Sequence, residues 1–138
     1  VLFPATLVLA VLAIAMIAPT ANTFTVTNNG ATSYVLNGTS NPSLNLTRGQ
    51  TYVFQVSAPG HPFWIKSVRS TGTGNAFNTG VTNNGSESGS VTFVVPAGAP
   101  ATLFYDCEFH SDMTGQINVS DATPVLQTTW GRMKALFR

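Results

Sequence analysis

Between Asn22 and Ser120 the apolar positions come in short runs, repeatedly interrupted by clusters of Gly, Asn, Ser, Thr and Pro. Ser43-Leu44-Asn45-Leu46-Thr47 alternates polar and apolar residues, as a half-buried strand does. Thr51 to Val56 places Tyr52, Phe54 and Val56 on one face by the same period of two. Further strands are predicted at Thr23–Thr27, Ser33–Leu36, Phe63–Val68, Val91–Val95, Ala101–Cys107 and Thr114–Val119. Asn28-Asn29-Gly30, Asn37-Gly38, Asn41-Pro42 and Arg48-Gly49-Gln50 supply the turns. The polar stretch from Ser70 to Ser90 carries no helical period. It reads as a long surface crossover with one short irregular strand near Ala76-Phe77.

Seven to eight short strands with no internal helix predict an all-β domain, a Greek-key antiparallel β-sandwich. The expected core is Phe24, Val26, Leu44, Leu46, Tyr52, Phe54, Val56, Phe63, Ile65, Phe93, Val95, Leu103, Tyr105, Ile117 and Val119. That is enough apolar surface for a domain of this size to fold without disulfides.

The flanks follow other patterns. Val1 to Ala18 is an uncharged apolar run, so residues 1–21 read as a signal peptide or an N-terminal membrane anchor. Residues 22–120 form the folded domain, and residues 121–138 a linker with a short basic tail. Within that tail Trp130, Met133, Leu136 and Phe137 would share one face of a helix, with Arg132, Lys134 and Arg138 around it.

Composition sharpens the class. Charged residues make up 8% of the 138, which suits an exported β-rich protein, periplasmic, secreted or at the cell surface. The net charge of +1 supplies no general field for nucleic acid. The folded part is mildly acidic: Arg48, Lys66 and Arg69 stand against Glu87, Asp106, Glu108, Asp112 and Asp121. A single cysteine cannot form an internal disulfide, and in an exported protein it calls for another role.

That cysteine opens the run Cys107-Glu108-Phe109-His110-Ser111-Asp112-Met113, at the end of a predicted strand. Thiolate, imidazole and thioether are ligands that copper accepts readily. The remaining histidine, His61 in Pro59-Gly60-His61-Pro62, is the one candidate for a second imidazole. Taken singly, a lone Cys is more often an inert core residue. Taken together, His61, Cys107, His110 and Met113 point to one metal site.

A β-sandwich with one histidine after its middle strands and Cys-x-x-His-x-x-Met between its last two resembles the cupredoxins, the small blue copper proteins. The resemblance covers roughly Phe24 to Val119 and is closest in Gly49–Phe54, Gly60-His61 and Tyr105–Val119. It implies one type 1 copper ion, with His61, Cys107 and His110 as the trigonal set and Met113 as a long axial ligand. It implies an electron carrier rather than an enzyme: a monomer that meets a redox partner such as a cytochrome or oxidoreductase. Membrane association would run through the N-terminal segment or the C-terminal tail. A copper carrier or chaperone, and a cupredoxin-like cell-surface module, are the alternatives. Multicopper chemistry needs more histidines than this chain has, and a binuclear centre needs two cysteines.

One departure stands out. Where many cupredoxins have Asn after the first histidine, this chain has Pro62, which lacks an N–H to donate to the sulfur. The Phe109 amide is the expected substitute. Asp106, Glu108 and Asp112 are expected to form an acidic rim for a basic partner, and Phe63, Trp64 and Phe109 an apolar one around His110.

Overall fold

A computed structural model describes residues 22–124 of the chain. Ten strands make up the regular structure: β1 (Asn22–Asn29), β2 (Ser33–Leu36), β3 (Thr39–Ser40), β4 (Leu44–Thr47), β5 (Thr51–Ser57), β6 (Phe63–Lys66), β7 (Val81–Thr82), β8 (Ser88–Val94), β9 (Thr102–Cys107) and β10 (Thr114–Ser120). They form two sheets, one of six strands in the order β3-β2-β1-β5-β8-β7 and one of four in the order β4-β10-β9-β6. The all-β sandwich expected from the pattern is what the chain builds. The expected leader and the basic tail from Thr128 lie outside the described residues.

Two pairings are parallel, β1 with β5 and β10 with β4, so both sheets are mixed where the sequence pattern led to an antiparallel expectation. Parallel neighbours need long connections, and a period-two pattern does not register which neighbour a strand will take. The two additional strands, β3 and β7, have two residues each, too few to show a period. Ala76 makes an isolated bridge with Lys66, close to the irregular strand expected there.

The core lies between the sheets. Of the fifteen residues expected there, Phe24 alone is partly buried, stacked on Phe54 with ring centroids 5.2 Å apart. The pattern missed Tyr34, Leu36, Ala58, Val91, Ala99, Cys107 and Met113, all buried. Tyr34 heads the largest fully buried side chains and packs edge-on against Phe63 (5.1 Å) and Tyr105 (6.2 Å). Its burial does not show as a period of two, because β2 buries Ser33, Tyr34 and Leu36 together.

Gly115 shows how tightly the smaller sheet is packed. A Cβ at that position would run into the ring of Tyr105, its antiparallel partner.

Candidate metal centre

All three donor segments belong to the smaller sheet or lead into it. β9 ends at Cys107, whose register partner on β6 is Phe63. His61 lies just before β6, in the connection from β5. His110 and Met113 lie in the loop between β9 and β10. That loop is closed at its base by the Cys107 amide donating to the Met113 carbonyl (2.9 Å) and pinched by the Met113 amide donating to the His110 carbonyl (3.3 Å). One turn thus brings His110 back beside the thiol that precedes it by three residues.

The donor atoms face one another. His61 Nδ1 lies 3.1 Å from His110 Nδ1, and Cys107 Sγ lies 3.8 Å from the first and 3.5 Å from the second. First-row metals sit about 2.0–2.1 Å from imidazole nitrogen and about 2.3 Å from thiolate sulfur, which puts donors about 3.5–3.8 Å apart in a trigonal set. The two sulfur edges fall in that range, and the nitrogen edge is slightly shorter. His61, Cys107 and His110 therefore have the donors and the spacing to hold one copper ion. Cys107 is fully buried, and both histidines are half-buried.

Met113 is fully buried in the core cluster that also contains Cys107. Its main chain is tied to two residues of the triangle, Cys107 and His110, by backbone bonds.

The approach of His61 is also defined. Its amide donates to the Ala58 carbonyl (2.9 Å), and the Gly60 amide donates to Glu87 Oε2 (2.7 Å). The carbonyl of Pro62 accepts from the Glu108 amide (3.3 Å), tying the first histidine segment to the residue after Cys107. Among the described residues the Phe109 amide makes no hydrogen bond to the Cys107 sulfur, so it does not replace what Pro62 lacks. The Tyr34 hydroxyl meets this same stretch of backbone. It donates to the carbonyls of His61 (2.8 Å) and Pro62 (2.9 Å). Burial first, and then the charge of Cys107 beside it, push the Tyr34 phenol well above its ordinary range. It therefore remains a protonated donor.

The expected rims change character. Asp106 is buried, with its carboxylate accepting from the Ser70 amide (3.2 Å) and from the Thr114 hydroxyl, so it braces the strand end instead of facing a partner. Glu108 is half-buried and takes the Trp64 indole N–H at 3.1 Å. Asp112 is the one of the three that is exposed. Phe63 is in the core, whereas Phe109 is 60% exposed next to His110. Of the two places expected for Phe63, core and rim, the core is the one it takes, with Ile65 on the same face of β6.

A second buried network, which the sequence did not signal, flanks the site. Lys66 has no exposure, and its Nζ donates to the carbonyls of Ser70 and Gly72, both at 2.6 Å. The Gly72 amide in turn donates to the Glu108 carbonyl (2.6 Å). Burial lowers the Lys66 pKa from its ordinary value, and the nearby Asp106, Glu108 and Cys107 counter part of that. The segment so held walls a cavity of about 180 Å³ lined by Arg69, Ser70, Thr71, Asp106, Cys107, His110 and Ser111.

No protein-family model matches the sequence, and no curated protein does either. Solved structures do. A variant of rusticyanin is similar with a TM-score of 0.52 at 20% identity, over 71% of this chain and 76% of that one. A rusticyanin structure described as that of a copper protein gives 0.50 at 19% identity over the same shares. The purple cupredoxin of Nitrosopumilus maritimus gives 0.46 at 19% identity, over 72% of this chain and 99% of that one. At this level of identity the likeness speaks for architecture: the chain has a cupredoxin-like fold.

Proposed function

We propose that this protein is a mononuclear copper protein that carries single electrons outside the cytoplasm. The observation that carries the reading is the triangle of His61, Cys107 and His110 donor atoms, 3.1 to 3.8 Å apart at one end of a β-sandwich. The solved structure of similar fold described as a copper protein supports it. His61, Cys107 and His110 would hold the ion, and the Met113 thioether would be a further, weak donor. When bound, copper in such a set supplies a one-electron Cu(II)/Cu(I) couple.

The chain's own part is to keep the donors still. Cys107 is fixed at both sides, by β6 through Phe63 and by the bond to Met113. His110 is fixed by the tight loop and His61 by its bond to Ala58. A donor set held in this way needs little rearrangement between oxidation states, which favours fast electron exchange and not turnover of a substrate. The half-buried His110, with the exposed Phe109 beside it, is the point where an electron would leave toward a redox partner such as a cytochrome or oxidoreductase. The apolar run from Val1 to Ala18 and the sparse charge support export to the periplasm or cell surface. Residues 22–120 would be the working domain, and residues 1–21 or the 121–138 tail the route to any membrane contact.

The test is to add Cu(II) to the purified protein and record its visible and EPR spectra. An intense sulfur-to-copper band with narrow copper hyperfine splitting is expected. A colourless protein would refute the reading.

A further inference from the structure

The donor triangle is built from the smaller sheet, yet two of its segments are contacted by Tyr34 of the larger sheet and by Asn41 in the connection that leaves it. Tyr34 on β2 sends its hydroxyl to the carbonyls of both His61 and Pro62. The backbone of Tyr34 is itself clasped by Asn41: the Tyr34 amide donates to Asn41 Oδ1 (3.0 Å), and the Asn41 amide donates to the Tyr34 carbonyl (2.8 Å). The free end of the same side chain, Asn41 Nδ2, donates to the carbonyl of Asp112 (2.8 Å), one residue before Met113. Asn41 holds a positive φ of 43°, a conformation asparagine accepts more readily than most residues.

We propose that Tyr34 and Asn41 act together as a positioning brace for the metal site, Tyr34 locking the His61 segment and Asn41 the loop that carries His110 and Met113.

The reasoning is one of need and supply. Pro62 has no N–H, so between the donating amides of His61 and Phe63 the backbone at Pro62 can be held only through its carbonyl. A buried hydroxyl shared between two successive carbonyls does that and fixes the peptide plane between them. The ring is clamped by Phe63 and Tyr105, so the hydroxyl has little freedom to follow a drifting His61. Asn41 then links this anchor to the opposite side of the triangle. Two segments 49 residues apart in the chain, those of His61 and His110, are thereby referred to one rigid pair. Groups that orient ligands without touching the metal typically change metal affinity about 10- to 100-fold when removed.

This inference rests on the copper reading, and the experiment separates the two. Tyr34→Phe keeps the clamped ring and deletes the hydroxyl. Asn41→Asp keeps the acceptor for the Tyr34 amide and deletes the donor to Asp112. Tyr52→Phe is the control: it removes a buried hydroxyl that accepts from the Thr47 amide (3.0 Å), at a place that bears on no donor. Wild type and variants are loaded with Cu(II), and three quantities are recorded: EPR hyperfine splitting, loss of Cu(I) to a chelator, and amide hydrogen exchange of the metal-free protein. Tyr34→Phe and Asn41→Asp are expected to release Cu(I) about 10- to 100-fold faster and to change the hyperfine splitting. In metal-free Tyr34→Phe the Glu108 amide, which donates to Pro62, is expected to exchange faster. Tyr52→Phe is expected to match wild type in all three. A wild type that never takes up copper overturns the copper reading and the brace with it. A coloured wild type whose Tyr34→Phe form keeps the same splitting and release rate, or behaves like Tyr52→Phe, overturns the brace alone.

Discussion

The two sheets divide the labour unequally. The four-stranded sheet and the connections at its end carry the three facing donors: β9 presents Cys107, the lead into β6 presents His61, and the β9–β10 loop presents His110. The six-stranded sheet contributes none of them. What it contributes is Tyr34, buried without exposure, with its hydroxyl on the carbonyls of His61 and Pro62. Donor identity is thus set on one sheet, while donor placement is secured partly from the other. A sandwich suits this arrangement because its two layers are packed against each other and cannot shift independently.

The comparison breaks most completely at Cys107. Cys107→Ser is close to isosteric in the core and removes the thiolate, so no visible charge-transfer band should appear when Cu(II) is added. The buried hydroxyl costs about 1–3 kcal/mol if it finds no partner, which urea unfolding of the metal-free protein would read. A variant that still turned blue would move the donor set off the smaller sheet altogether.

Gly115→Ala attacks the same sheet through its packing. The added methyl meets the Tyr105 ring, and Tyr105 is clamped by its hydroxyl bond to the Pro42 carbonyl (2.7 Å) and by stacking on Phe63 (5.5 Å). A loss of about 1–3 kcal/mol is expected, because overpacking a filled site forces neighbours off their rotamers. An unchanged unfolding midpoint would show that this sheet end yields more easily than the structure indicates.

How far the sequence could carry the reading follows from the same division. Donors announce themselves by residue type. One cysteine and two histidines in 138 residues leave few choices, and the Cys-x-x-His-x-x-Met spacing narrows them further. Strands with clean alternation, such as β4 and β5, were equally legible. Placement was not. Tyr34 looks like any strand aromatic, and nothing local says that its hydroxyl reaches a carbonyl 27 residues away. Asn41 looks like a turn former, and its bond to Asp112 spans 71 residues. Asp106 illustrates the opposite error: three acidic residues around the ligands suggested a rim, but one of them faces inward because Ser70 and Thr114 meet it there. Parallel strand pairing was hidden for the same reason, since it depends on the neighbour and not on the strand.

A smaller effect is expected at Lys66, which belongs to the donor-bearing sheet but donates outward, to the segment walling the cavity. Lys66→Met keeps most of the buried stem and leaves the carbonyls of Ser70 and Gly72 without their ammonium. A loss of about 1–3 kcal/mol at neutral pH is expected, as for other buried groups deprived of a partner. The pH dependence has a definite sign. Burial lowers the folded-state pKa of Lys66 relative to the unfolded chain, so the unfolded state binds the proton more readily. Wild type should therefore gain stability relative to Lys66→Met as pH rises toward the ordinary lysine value of about 10.4. Unfolding midpoints measured for both proteins at neutral and alkaline pH would show whether the gap widens. A constant gap would mean that burial does not disfavour the charged ammonium.

The finest distinction concerns Met113, which the sequence offers as a donor and the core offers as a packing residue. It is fully buried, and its main chain closes the loop whatever its side chain does. Met113→Leu preserves volume and leaves those backbone bonds in place, so a stability change below about 1.5 kcal/mol is expected. The two roles then separate in the copper-loaded protein. A weak thioether donor would support the oxidised ion more than the reduced one, so its loss should raise the reduction potential while the visible band persists. Cyclic voltammetry of wild type beside Met113→Leu makes the measurement. An unchanged potential would assign Met113 to the core, leaving His61, Cys107 and His110 as the whole donor set and the placement of those three as the one lever by which the larger sheet acts on the metal.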